Sequence, residues 1–331
     1  MNKKIIFNAL NIAGVSKFLR SQKKNKLTVL SLHRISYQED FFWNPIRPDT
    51  FEKLLQYLIQ YYTIISFSDI AGLPVKNKNA KPHLILSFDD GYYDFYEHAL
   101  PILVKYKLPS NHNIVNACAN DNHIIWTQRL NTLFSHCRNN NIAELKFDYD
   151  NATFNLASFD NNWMRFYLTV YNLFLKIPLK QRLEIVIEKE NHFSVSTLER
   201  MMNWNEIIEC SHNHVEIGSH TYNHDVLSTI TDANVLQHEI ADSKTEIEAR
   251  LNKKVNILAL PNGQGNKQVN VMAEKSGIDH VLYVDEKIND LYKYSNGSNM
   301  HDTYRINIVE ETMPEMILRT ELFHSKIKRY A

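Results

Sequence analysis

The feature that most constrains the fold is an alternation of short apolar runs with amphipathic segments along most of the chain. Such runs are typical of buried strands, and helical segments between them favour a parallel sheet with helices outside it. We count seven or eight runs, which is enough to close a barrel. The predicted strands are 27–32, 63–67, 84–88, 111–115, 215–219, 255–260, 280–284 and 304–308.

The alternation is interrupted between about residues 124 and 203, where the pattern changes to helices separated by polar stretches. Residues 126–134 and 163–175 predict helices there. We interpret this region as a helical insertion into the barrel rather than a separate domain. The predicted organisation is therefore an N-terminal helix over 1–26, a barrel over 27–310 and a C-terminal helical tail over 311–331.

Composition and charge exclude several classes of partner. Lysine plus arginine and aspartate plus glutamate both total 37, so no strong overall field attracts nucleic acid or an anionic membrane surface. The three cysteines are widely spaced and odd in number. Such usage suits a reducing compartment and indicates neither a disulfide framework nor a thiolate zinc site.

The first 20 residues resemble a signal peptide only loosely, because Asn8 and Asn11 interrupt the apolar run. No stretch of the sequence approaches the ~20 apolar residues that a transmembrane helix needs. Lys17, Arg20 and Lys24 follow the run, which favours an amphipathic helix docked on the body or resting on a membrane surface. We expect a cytoplasmic protein, free or peripheral at the inner membrane, rather than a secreted one. The oligomeric state is not predicted.

Two adjacent acids, Asp89 and Asp90, end the predicted strand 84–88 and precede Gly91. Adjacent carboxylates repel each other unless a cation or a shared proton relieves them, and glycine permits a tight turn after them. Barrels and open α/β sheets carry their chemistry at such strand ends. From these residues alone, an N-cap for a helix beginning near Asp94 is an equally good interpretation.

A second polar group, His220 and His224, follows the predicted strand 215–219. Two histidines four apart on one face of a helical turn can bind one metal ion. In a chain with 15 histidines, a capping or surface pair is the competing interpretation.

The placement of glycines supports a link between the two groups. Three of only eight glycines, Gly91, Gly218 and Gly263, lie in or beside loops at strand ends that carry polar residues. One carboxylate and two imidazoles form a three-ligand set that leaves an open position for water and substrate. The second acid of the pair would then be free to act as a general base.

Three motifs in this order resemble the polysaccharide deacetylase family (the NodB-homology domain, carbohydrate esterase family four). They are Ser-Phe-Asp-Asp-Gly at 87–91, His-Thr-Tyr-Asn-His at 220–224 and Leu-Pro-Asn-Gly at 260–263. Leu-His-Arg-Ile at 32–35 resembles the YHRI opening of one branch, whose third motif is YPNG-like. The resemblance implies an α/β fold, a distorted, TIM-barrel-like (β/α) barrel with about seven strands.

The resemblance also implies a function, the hydrolytic deacetylation of an N-acetylated hexosamine. The carbohydrate substrate would be a surface polysaccharide or its glycolipid- or nucleotide-linked precursor. O-deacetylation or removal of another acyl group on the same scaffold is an alternative. A catalytically silent glycan-binding or assembly module is another.

Site residues follow from the resemblance motif by motif. Asp90, His220 and His224 are expected to bind a divalent metal, with zinc preferred. Asp89 is expected to be the general base, and His33 the proton donor to the leaving amine. The expected substrate-binding residues are Pro261, Asn262, Gly263 and Tyr92, with a backbone N–H near Asn262 holding the oxyanion.

Two departures from the family pattern concern the third motif. Ala259 stands where many members have an arginine that orients the base, and Arg34 or Arg305 is a candidate substitute. Asn262 stands where an aromatic residue usually shapes the substrate site. Tyr92, Tyr93 or Trp126 could stack on a sugar, although a role in the core is as good an interpretation for each.

Overall fold

Seven parallel strands close into a ring in the computed structural model, and they follow chain order around the barrel. Closure occurs because the first strand pairs in parallel with both the second and the seventh. This architecture confirms the predicted distorted (β/α) barrel of seven strands. The barrel strands, β1 to β7, are Lys26–Leu32, His83–Phe88, Ser110–Ile114, Val215–Ser219, Ile257–Ala259, His280–Val284 and His301–Asn307.

Within the described residues, four short strands lie outside the barrel ring. Thr63–Ile64 pairs in parallel with the first two residues of β2, and Asn289–Asp290 pairs antiparallel with β1. The predicted strand 63–67 is therefore only two residues long and is not a barrel strand. A hairpin of Lys146–Tyr149 and Ala152–Asn155 belongs to the region after β3.

The structure describes residues 3–73, 81–121, 123–196, 199–294 and 300–323. The loop residues 74–80 and the end of the predicted C-terminal tail, 324–331, lie outside these ranges. The α-helices are Lys3–Ile12, Val15–Ser21, Pro48–Tyr61, Leu100–Tyr106, Asn116–Asp121, Trp126–Asn139, Trp163–Phe174, Leu179–His192, Trp204–His212, Ala233–Gln237, Ser243–Leu251, Lys267–Lys275, Leu291–Tyr294 and Met313–Thr320. Single 3₁₀ turns are Ile70–Gly72, Leu156–Phe159, Leu227–Thr229 and Pro261–Gly263, and π turns are Phe95–Ala99 and His238–Asp242.

Polar side chains cap the amino ends of several helices. Asp232 accepts hydrogen bonds from the backbone N–H groups of residues 234 and 235, as a helix cap should. Asn203 and Glu206 form a reciprocal capping box at the start of Trp204–His212. The helix Pro48–Tyr61 begins at a proline, a residue well suited to the first helical turn.

The region between β3 and β4 has an aromatic core of its own. Its helices Trp126–Asn139, Trp163–Phe174 and Leu179–His192 pack around buried rings from the helices and the hairpin. Phe42 and Val226, from loops after β1 and β4, belong to the same cluster. The insertion is thereby packed onto the loops at the carboxyl ends of the barrel strands. Its largest fully buried rings are Trp126, Phe134, Phe147, Phe166 and Phe174.

Two helices precede β1, joined at Gly14, which has a φ of 79°. They contact each other and the helix Met313–Thr320, and the side chains of Phe7 and Leu19 are buried. The Asn11 side chain donates to the carbonyl of Pro314, at the start of the last described helix. Within the described residues, no helix is both long and apolar enough to cross a membrane.

Candidate active site

Asp89 and Asp90 directly follow β2 at the carboxyl end of the barrel, and both are almost fully buried. Asp90 and Gly91 have φ values of 79° and 88°, so the chain turns sharply between the two acids and the next helix. A non-glycine residue with positive φ is strained, and such strain is concentrated at functional sites. The turn directs the two carboxylates toward different neighbours.

Asp90 faces the two histidines of the second motif. Its Oδ1 lies 3.3 Å from His220 Nε2 and 3.4 Å from His224 Nε2. One ligand atom from each of the three buried residues lies within 4.8 Å of the others. The sequence-predicted ligand set is therefore brought together at one point.

The histidine pair occupies a loop, so the predicted helical turn is wrong. Thr221 and His224 have φ values of 68° and 59°, which no helix accommodates. Glu239 holds the loop instead, because its carboxylate accepts hydrogen bonds from the backbone and side-chain N–H groups of Asn223. The hydroxyl of Thr221 accepts the backbone N–H of His224 at 3.0 Å.

The residues fit a divalent cation. His220 Nδ1 lies 2.9 Å from the carbonyl oxygen of Ala259, which fixes the proton on Nδ1 and leaves the Nε2 lone pair pointing at the cluster. Asp90 Oδ2 is buried and has no hydrogen-bond partner. A buried carboxylate oxygen without a partner is costly, and a cation bound by the three residues would relieve that cost. Two imidazoles and one carboxylate are a donor set that zinc accepts.

Asp89 faces the barrel interior. Its Oδ1 accepts hydrogen bonds from Arg305 Nη1 and Asn113 Nδ2, both at 2.8 Å. Burial would raise the pKa of the Asp89 carboxyl, but the neighbouring Arg305 guanidinium and His220 imidazole outweigh it and hold the pKa below its usual range. Asp89 is therefore ionised, with one oxygen fixed and the other, Oδ2, available.

Arg305 and Arg34, the two candidates for the missing third-motif arginine, occupy different places. Arg305 lies on β7, is fully buried, and contacts Asp89. Arg34 instead donates to Asp94 at 2.8 Å and lies over the ring of Tyr92. Position 259 contributes its carbonyl to His220, a predicted metal ligand, and no side chain to Asp89.

His33 follows β1 and lines the same cavity as Asp89, Asp90, His220 and His224. Its Nε2 is 4.0 Å from Asp89 Oδ2, and its ring packs edge-on against Trp43 with centroids 5.0 Å apart. About a fifth of its side chain, 21%, is exposed to the cavity. Burial lowers the pKa of His33, opposed by the carboxylates of Asp90 and Asp89.

A cavity of about 360 Å³ opens above these residues. Its volume lies within the range of small-molecule sites. One wall comes from the insertion, which sequence reasoning had treated only as an elaboration of the fold. The lining residues from the insertion are Thr127, Tyr167, Leu168, Tyr171 and Leu175.

The predicted substrate-binding residues have different positions. Asn262 lines the cavity, with a φ of 56°, and its Oδ1 accepts the hydroxyl of Tyr171. Gly263 lies beneath it, where an added Cβ would meet the backbone N of Val284 at 2.9 Å, so only glycine fits. Tyr92 is 1% exposed, its hydroxyl donates to Gln128, and it is not among the residues that line the cavity. Pro261 is buried next to Asn262.

A comparison with protein-family models finds the polysaccharide deacetylase domain over residues 158–281. The predicted resemblance to the polysaccharide deacetylase family is confirmed. The match includes the second and third motifs, while the acid pair and His33 lie before it. No curated protein sequence matches the chain significantly.

Solved structures of polysaccharide deacetylases share the fold. The Streptococcus pyogenes deacetylase PplD, solved in complex with acetate, is 19% identical with a TM-score of 0.58; 90% of this chain and 99% of that one are covered. IcaB from Ammonifex degensii is 16% identical with a TM-score of 0.56, covering 90% and 98%. The de-N-acetylase from Aggregatibacter actinomycetemcomitans is 18% identical with a TM-score of 0.53, covering 89% and 99%. At these identities the likeness shows the fold.

Proposed function

We propose that the protein is a metal-dependent hydrolase that removes the acetyl group from an N-acetylated hexosamine. The substrate would be a surface polysaccharide or its glycolipid- or nucleotide-linked precursor, and the metal zinc. One observation carries the proposal: the three ligands Asp90, His220 and His224 converge beside a fourth ionised group, Asp89, that is held apart from them. A site that only bound glycans would need no separate base.

The chain's own residues divide the chemistry between them. Asp90, His220 and His224 would hold the cation, which when bound would polarise the acyl carbonyl and lower the pKa of a water molecule. Asp89 would take a proton from the attacking water through Oδ2, since its Oδ1 is held by Arg305 and Asn113.

Departure of the amine needs a proton donor on the other side of the reacting carbon. We assign this task to His33, whose Nε2 lies 4.0 Å from Asp89 Oδ2 and whose ring lines the same cavity. The backbone N–H of Asn262, in the loop after β5, would help to stabilise the oxyanion. Neither role depends on residues of the insertion.

The aromatic wall of the insertion would hold the sugar ring. Tyr167 and Tyr171 line the cavity together with Trp43, so apolar ring faces surround the acidic floor. The Tyr171 ring packs on Trp126 with centroids 5.5 Å apart, and its hydroxyl is fixed by Asn262. Such rigid rings suit the apolar face of a pyranose.

Acetate release tests the proposal. The purified protein, loaded with one equivalent of zinc, would be incubated with N-acetylhexosamine oligomers and with nucleotide- and lipid-linked N-acetylhexosamines. We expect release that Asp89→Asn reduces at least about 100-fold, because the base is lost. Asp160, whose side chain is 91% exposed, provides a matched control in Asp160→Asn.

Each alternative has its own outcome. Acetate release only from O-acetylated sugars would indicate that the protein is an O-deacetylase that uses the same residues. Glycan binding without any acetate release, and with no zinc retained by the protein, would instead indicate a silent binding module.

A further inference from the structure

The surface of the two N-terminal helices, Lys3–Ile12 and Val15–Ser21, is unusually apolar for a solvent-exposed face. Ile12, Phe18 and Ile5 are exposed by 86%, 65% and 60%, more than any other large apolar side chain of the described residues. Ile5 and Ile12 are seven residues apart, so they share one face of their helix. Other side chains of the two helices are covered, because Phe7 and Leu19 are buried and both helices contact Met313–Thr320.

A groove of about 890 Å³ runs beside this face, and its charge has one sign. Lys17, Arg20, Lys24 and Lys81 line it, and no acidic residue does. Arg20 is neutralised by Glu321, with the two charges 3.2 Å apart. The side chains of Lys17 and Lys24 are exposed. In a chain with equal numbers of acidic and basic residues, a basic groove beside exposed apolar side chains is a local feature.

We propose that this face docks on a membrane surface that contains anionic phospholipids. Ile5, Ile12 and Phe18 would enter the boundary between headgroups and acyl chains, while Lys17 and Lys24 would contact lipid phosphates. Apolar side chains flanked by lysines are the pattern of helices that lie in a membrane interface. A protein partner would instead need acidic side chains opposite the groove and a surface complementary to the helices. Binding to protein-free vesicles distinguishes a membrane surface from such a partner.

The lysines of the groove lie at the end of the barrel away from the catalytic cavity. Lys24 and Lys81 lie just before the first residues of β1 and β2, whereas His33 and Asp89 follow the last residues of the same strands. A strand such as Lys26–Leu32 is about 20 Å long at ~3.3 Å per residue. Lipid phosphates bound to these lysines would therefore be separated from the catalytic residues by the length of a strand.

Vesicle co-sedimentation tests the proposal with the full chain. Vesicles of phosphatidylcholine alone would be compared with vesicles containing 30% phosphatidylglycerol (about one anionic lipid in three), with and without free inorganic phosphate. We expect binding only to the anionic vesicles, weakened by salt but not abolished by millimolar phosphate. Lys17→Gln and Lys24→Gln should each weaken binding about fivefold, since a juxtamembrane lysine contributes about that factor.

The apolar contribution needs its own variants. Ile12→Asn and Phe18→Ser should each weaken binding at least about fivefold, whereas Val271→Ser, an exposed apolar position far along the chain, should not. Acetate release in solution should be unchanged in all of them, which shows that they are folded. Equal binding to neutral vesicles, or no binding, overturns the proposal. A solution dimer that these variants dissociate also overturns it.

Discussion

Replacing Arg305 with methionine removes a buried guanidinium that lies 2.8 Å from Asp89 Oδ1. At this distance and an effective dielectric constant of about 20, the Coulomb attraction is about 6 kcal/mol before desolvation is counted. Breaking a buried pair by removing one partner costs about 3–5 kcal/mol, because the remaining charge stays buried. We expect that loss in the free energy of unfolding. Because the base would also lose its orientation, kcat should fall about 100-fold, which corresponds to about 2.7 kcal/mol.

Urea unfolding and acetate release measure the two effects separately. Arg34→Met is the matched control: it breaks a similar buried pair with Asp94, also at 2.8 Å, and should lose stability while kcat changes less than threefold. The double variant Asp89→Asn with Arg305→Met should recover much of the lost stability, since no unpaired charge remains. The reasoning is refuted if Arg305→Met keeps kcat within threefold of the parent, or if Arg34→Met lowers kcat as strongly.

Three further predictions concern the metal, the cavity wall and acid stability. Asp90→Ala should retain less than a tenth of the zinc that the parent keeps after dialysis, measured by elemental analysis; equal retention would contradict the ligand assignment. Tyr171→Phe, which loses the hydrogen bond to Asn262, should raise KM about two- to tenfold at unchanged stability, and Tyr171→Ala should raise it further; unchanged KM in both would exclude Tyr171 from the sugar site. Burial lowers the pKa of His280 in the folded chain to about 4, whereas in the unfolded chain the imidazole binds a proton below about pH 6.5. As the pH falls, proton binding therefore favours the unfolded chain, and the free energy of unfolding decreases by about 2 kcal/mol between pH 7 and pH 5. His280→Phe should therefore flatten urea-measured stability between pH 7 and 5, and an unaltered slope would argue against this cause.

The parts of the fold that sequence reasoning found are those defined by local pattern. The strand 280–284 has the predicted bounds, because its apolar run marks a buried strand. The strand 215–219 also has its predicted bounds, although only Val215 and Ile217 in it are apolar side chains. The prediction of a barrel strand at 63–67 is wrong. Its apolar residues resemble those of the other strands, but the segment pairs only with the first residues of β2. Whether a run closes a barrel depends on long-range pairing, which the pattern of one segment does not contain.

The same division holds within the site. The cluster of Asp90, His220 and His224 could be assembled from two short motifs, each carrying its own spacing. The choice between Arg34 and Arg305 could not, because it depends on β7 lying next to β1 in the closed ring. Arg34 is one residue from His33 in sequence, yet its guanidinium pairs with Asp94.

The third-motif asparagine shows why an isolated departure from a family pattern is hard to interpret. Compared with the usual aromatic residue, Asn262 indicates a lost substrate contact. In the folded chain its side-chain oxygen accepts the hydroxyl of Tyr171, which comes from 91 residues earlier. The ring therefore stands in the cavity although it is missing from the motif. Because Tyr171 and Asn262 both line the cavity and are hydrogen-bonded to each other, the aromatic ring beside the third motif comes from a segment that the motif itself does not contain.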